Sequence, residues 1–137
     1  MSKARGIVTP AKDPLQVVES ERLEALVVNI EKVEGKFGEQ LQFTLKLPDE
    51  EYNVKTWMKY YEKPSENTDL GKLLLAIMTR LNKDIDDVEE GLDWLTHYGR
   101  VFIECTGFRA YNGKNYPKFK VVPGILPPTQ PQQGTFP

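Results

Sequence analysis

Trp57 stands between Lys55 and Lys59 in the run Asn53-Val-Lys-Thr-Trp-Met-Lys-Tyr-Tyr61. At the two-residue period of a strand, Lys55, Trp57, Lys59 and Tyr61 fall on one face, and Val54, Thr56, Met58 and Tyr60 on the other. An indole bracketed by ammonium groups on a solvent-facing sheet offers a flat stacking surface and phosphate neutralisation together, which is what a single nucleic-acid strand requires. The competing reading of this segment is a core tryptophan with a solvated lysine rim, since buried Trp is common. Two more segments set aromatics beside bases: Lys36-Phe37 between Gly35 and Gly38, and Phe108-Arg109 with Tyr111, Lys114 and Tyr116. Stacking one base on an aromatic contributes roughly 1–3 kcal/mol whatever the base, and each phosphate neutralised adds a salt-dependent term. Such a surface predicts little sequence preference and steep salt sensitivity.

Other chemistries find less support. His97 is the sole histidine and Cys105 the sole cysteine. They fall in a loop and on the apolar face of a strand, with no third group to orient a catalytic pair, so the chain reads as a non-enzyme. Cys105 reads as a small core hydrophobe. Asp84, Asp86 and Asp87 lack the glycine and terminal glutamate of a calcium loop, and a solvated helix start explains them better. With no phosphate-binding glycine loop either, no cofactor or metal is expected. Aromatic and arginine side chains also dominate protein interfaces, so a protein-interaction module using the same face is the rival reading. Oligosaccharide binding is a third, but it leaves the lysines without a purpose.

The 137 residues suit one domain, and the single cysteine allows no internal disulfide, which fits a cytoplasmic protein. No apolar run approaches the ~20 residues of a membrane span, so a membrane role is not expected. The net charge of −2 conceals an asymmetry. Asp84, Asp86, Asp87, Glu89, Glu90 and Asp93 crowd one stretch, whereas Arg100, Arg109, Lys114, Lys118 and Lys120 face only Glu104 in another. That division can steer a polyanion to one side.

The elements that would position these residues follow from periodicity. Residues 1–19, with Pro10 and Pro14, read as a flexible arm with one short strand at 6–9. Arg22 to Val33 is strand one, and Leu41, Phe43, Leu45 and Leu47 alternate with polar residues in strand two. Tyr52 to Tyr61 is strand three. A helix capped by Thr68 or Asp69 carries Leu70, Leu73, Leu74, Ile77, Met78 and Leu81 on one stripe, and an acidic helical turn or two spans Asp86 to Leu95, with Val88, Leu92 and Leu95 facing inward and Trp94 in core or helix packing. Arg100 to Thr106 and Tyr116 to Val122 are strands four and five, joined by a loop with the turn signal Asn112-Gly113. Residues 124–137, rich in Pro and Gln, read as a disordered tail.

The order β-β-β-α-β-β, with Gly35-Lys-Phe-Gly38 between the first two strands, a helix between strands three and four, and Gly99 opening strand four, resembles the OB-fold. The resemblance spans residues 20–123 and implies an all-β, five-stranded barrel with a helical insertion. Within that superfold the chain is most similar to single-stranded DNA-binding proteins of the replication and bacteriophage type. The resemblance implies a groove on the outer face of strands two and three and on two flanking loops. In this sequence the face is Gln40, Gln42, Thr44 and Lys46 with Lys55, Trp57, Lys59 and Tyr61. Lys36 and Phe37 belong to the first loop, and Phe108, Arg109, Tyr111, Lys114 and Tyr116 to the second. It also implies single-stranded DNA, with RNA left open, as the partner, a role in replication, recombination or repair alongside replication proteins, and possible self-association into a homo-oligomer. If phage-encoded, the protein would act in the host cytoplasm. Residues 127–134 resemble the Pro, Gln and Gly linker of bacterial members, but Thr135-Phe-Pro137 lacks their acidic tip.

Overall fold

The computed structural model describes residues 15–47 and 53–128. The expected short strand at 6–9 lies outside them. Chain order is β1 (Arg22–Gly35), β2 (Gly38–Lys46), β3 (Asn53–Lys59), α1 (Asp69–Leu81), α2 (Val88–Tyr98), β4 (Arg100–Tyr111) and β5 (Lys114–Val122). The strands form one antiparallel sheet in the order β3-β2-β1-β4-β5. No helix among the described residues is long and apolar enough to cross a membrane.

β1 organises the sheet because it serves two partners. Arg22 to Leu26 pair with β4, and Leu26 to Gly35 pair with β2. The register breaks between Val27 and Asn29, which leaves Val28 unpaired in a bulge, and a bulge bends its strand and raises the local twist. The sheet therefore coils rather than lying flat, and its edge strands β3 and β5 approach each other. They do not share a backbone ladder, so the closed barrel expected from the sequence is corrected to an open five-stranded sheet. What joins the edges is a side chain: the Thr56 hydroxyl, 4% exposed, donates to the Phe119 carbonyl at 2.8 Å.

Alternation supplies the core. Leu41, Phe43 and Leu45 of β2, Val54 and Met58 of β3, Val101, Ile103 and Cys105 of β4, and Phe119 and Val121 of β5 all point inward and are buried. α1 covers them with Leu70, Leu73, Leu74 and Ile77, a stripe at helical spacing. Thr68 starts that helix by accepting a hydrogen bond from the Gly71 amide at 3.0 Å.

The acidic segment is a full second helix, so the order is β-β-β-α-α-β-β and the single insertion expected from the sequence is corrected. Asp87 accepts from the Glu90 amide at 2.8 Å, and the Glu90 carboxylate accepts from the Asp86 amide at 3.2 Å. These caps fix the start, Gly99 at φ 86° fixes the end, and Val88, Leu92 and Leu95 are buried between them. A Cβ on Gly91 would lie 2.6 Å from Leu74 Cδ2, which is how closely the two helices pack. Trp94 stacks on Tyr98 with ring centroids 4.8 Å apart, in keeping with the packing role read from its neighbours.

The folded unit extends past both boundaries set by composition. Leu15 and Val17 pack against the core. At the other end Leu126 and Pro127 are buried. The Pro127 carbonyl accepts from Arg80 Nη2 at 2.8 Å and from the Tyr98 hydroxyl at 2.7 Å, and Arg80 also bonds that hydroxyl. Leu126 and Pro127, expected to belong to a disordered tail from residue 124, are held in place because Arg80 and Tyr98 satisfy backbone carbonyls that would otherwise need water; residues 129–137 lie outside the described residues.

Candidate nucleic-acid interface

β3 leaves Lys55, Trp57 and Lys59 on the outer face because Val54, Thr56 and Met58 take the inner one. Trp57 is 51% exposed and is not a core residue. Antiparallel pairing with β2 sets Gln42 beside Trp57, Thr44 beside Lys55, Gln40 beside Lys59 and Lys46 beside Asn53. The β2 and β3 residues from the sequence reading therefore share one surface. Tyr61 lies beyond the strand: β3 ends at Lys59, and Tyr61 is half-buried against the core with the Lys59 ammonium 5.7 Å from its ring centroid. The expected extension of strand three to residue 61 is corrected accordingly.

Residues 107–115 are not a loop. β4 and β5 continue as a paired arm out to Tyr111 and Lys114, closed by Asn112 at φ 53° and Gly113 at φ 77°, the two positive values that a tight right-twisting hairpin turn needs. A second bulge, between Cys105 and Gly107, shifts the face on which later β4 residues project. Arg109 pairs with Tyr116 and Tyr111 with Lys114, so these four lie on one face, with Tyr111 and Tyr116 in edge contact at 6.4 Å. Phe108 pairs with Pro117 and falls on the opposite face. The aromatics read together from this segment are thus divided, with Tyr111 (64% exposed) on the outer side and Phe108 (42%) on the other.

Lys36 and Phe37 form the two-residue turn between β1 and β2, with Gly35 paired to Gly38 and the positive φ carried by Gly38. Phe37 is 81% exposed, so it does not seal an end of the sheet. It projects past the end of the sheet where Lys59 lies, since Lys59 pairs with Gln40.

The fold adds two residues that the sequence reading left out of the site. β3 and β5 both run antiparallel to neighbours of β1 and so run parallel to each other where Thr56 meets Phe119. The residues flanking that contact alternate outward: Lys55 and Trp57 on β3, Lys118 and Lys120 on β5, all exposed. The signal was present as Lys114, Tyr116, Lys118 and Lys120 at a two-residue period, with Phe119 and Val121 between. That β5 meets β3 beside Trp57, at Thr56, was not, because it depends on the coil of the sheet.

The electrostatics of this seam favour an anion. Among the described residues, no carboxylate lies within 4.0 Å of Lys55, Lys59, Lys118 or Lys120. Glu104, the cross-strand neighbour of Lys120, pairs with Arg22 at 3.9 Å. On the far side, Glu31 pairs with Gln42 in register and Glu24 lies 2.5 Å from Arg100, so the outer surface turns acidic or neutral toward β1. The cationic track follows β3 and β5 and is bounded by β1.

Cys105 is 1% exposed and packs among apolar residues, and Asp87 is occupied as the α2 cap, as their surroundings in sequence suggested. Among the described residues no group of three or more His, Cys, Asp or Glu side chains could hold a metal ion. Comparison of the chain with known protein families finds no match, and none of the curated proteins matches it.

Proposed function

We propose that this chain binds single-stranded nucleic acid, with single-stranded DNA the first candidate, on an OB-like coiled sheet. It does so with little base preference and performs no chemistry on the strand. The observation that carries the reading is a half-exposed indole with lysines on its own strand and, across the Thr56 seam, two more on β5. Bases stack on Trp57 and on Tyr111 or Tyr116, while Lys55, Lys59, Lys118, Lys120 and Arg109 neutralise phosphates. Gln42 and Thr44 supply hydrogen-bonding groups beside the indole. Strand order and the edge contact of β3 with β5 support the OB-like description, although the ladder stays open.

The test is a tryptophan fluorescence titration with poly-dT, repeated with duplex DNA and with Trp57→Phe protein. Quenching by the single strand, absent with the duplex and lost in the variant, is the expected result. Trp94, stacked on Tyr98, serves as the internal unquenched reporter. Quenching that persists in Trp57→Phe, or equal response to duplex, would reject the assigned face.

A further inference from the structure

At the end of the sheet where β3 runs into the helices lies a cleft of about 360 Å³, between α1, the start of α2 and the connector after β3. Its floor is apolar, with Leu75 44% exposed and Met78 and Ile85 beside it. Its rim carries Glu62, Glu66 and Asp86, against the single cation Lys63. Capping accounts for Asp87 but not for Glu62 or Glu66, neither of which has an ion pair among the described residues. An exposed apolar floor inside an acidic rim fits a protruding segment that is aromatic at its tip and basic along its sides.

This chain carries such a segment. The β4–β5 arm ends in exposed Tyr111 and bears Arg109, Lys114 and Lys118 on the same face. It cannot reach the cleft of its own molecule. β3 and β5 run parallel, the arm lies at the start of β5 and the cleft beyond the end of β3, so roughly 26 Å of strand separates them at ~3.3 Å per residue. We infer that the acidic cleft receives the hairpin arm of a second copy, Tyr111 seated over Leu75 and Met78 and the arm's cations against Glu62, Glu66 and Asp86. The contact joins two different surfaces, so each molecule can both give an arm and receive one, and association builds assemblies of two or more copies. Since the same arm cations are proposed to neutralise phosphates, a bound strand competes with the neighbouring cleft. That competition rests on the function proposed above; the self-association does not.

Sedimentation velocity of the full chain tests it, at about 20 mM and about 500 mM salt, where charge pairing is weakly and strongly screened respectively. Expected is reversible association at low salt, lost at high salt, and lost at both in Glu62→Lys/Glu66→Lys protein. Mixing that variant with Arg109→Glu/Lys118→Glu protein should restore heterotypic association at least about tenfold over either variant alone, which also certifies that both fold. A monomer at low salt, or association indifferent to the cleft reversals, would overturn the inference. Adding dT oligonucleotide should dissolve the wild-type assembly. If oligonucleotide fails to bind while the charge swap still works, the nucleic-acid reading falls and the self-association stands.

Discussion

Through its hydroxyl, Thr56 ties one edge of the sheet to the other. It sits in the inner row of β3 among apolar residues, yet its hydroxyl is the bond that draws β3 to β5 and so brings the two rows of lysines together. Thr56→Val keeps shape and strand propensity and removes only the donor, leaving the buried Phe119 carbonyl without this partner. The expected cost is about 1–2 kcal/mol by urea denaturation, with oligonucleotide affinity falling alongside. An unchanged midpoint would show that packing alone holds the seam. At the next residue, alternating Lys, Trp and Lys against Val, Thr and Met leaves both an exposed and a core indole open, and the inward facing of Val54, Thr56 and Met58 settles it as exposed. Tyr61 continued the same period but was half-buried, because a period holds only while the strand does, and β3 ends at Lys59.

Elements show a similar division between what local chemistry announces and what pairing decides. The cap at Thr68 and the Asn112-Gly113 turn are local and legible in sequence, whereas the acids before α2 read only as a solvated helix start and Asp87 is the one that caps it. The two bulges are not, because an unpaired residue is defined by its partner strand. The bulge after Cys105 is why Phe108 and Tyr111 occupy opposite faces of the arm. An element-scale prediction follows from the turn. Gly113 adopts φ 77°, where a β-branched side chain is strained by roughly 1–2 kcal/mol. Because the arm carries little of the core, Gly113→Val should leave the global denaturation midpoint nearly unchanged while speeding amide exchange along 107–117 and weakening oligonucleotide binding several-fold. A cooperative loss of stability equal to the strain would mean that the arm folds as part of the core.

Across the whole molecule, charge is partitioned rather than abundant. The net charge of −2 divides into a basic track on β3, β5 and the arm and an acidic cleft by the helices. Salt dependence reads the basic half directly. Replacing Lys118 and Lys120 by Ala should reduce the slope of log affinity against log salt by about 1.4, two phosphate contacts at ~0.7 each on a single strand. Measured against poly-dT, a slope equal to that of wild type would remove β5 from the interface.

From the sequence came the alternation that buries one side of β2 and β4, the start of α1, the Asn112-Gly113 turn, and the interleaving of aromatics and cations in three places. Those properties depend on neighbours within a few positions along the chain. The folded chain adds that the sheet coils without a closing ladder, that Leu126 and Pro127 dock on Arg80 and Tyr98, and that β5, carrying Lys118 and Lys120, meets β3 at Thr56. Each of these joins residues far apart in the chain. Such contacts are selected by the summed free energy of packing the core and satisfying buried polar groups, which no local pattern carries.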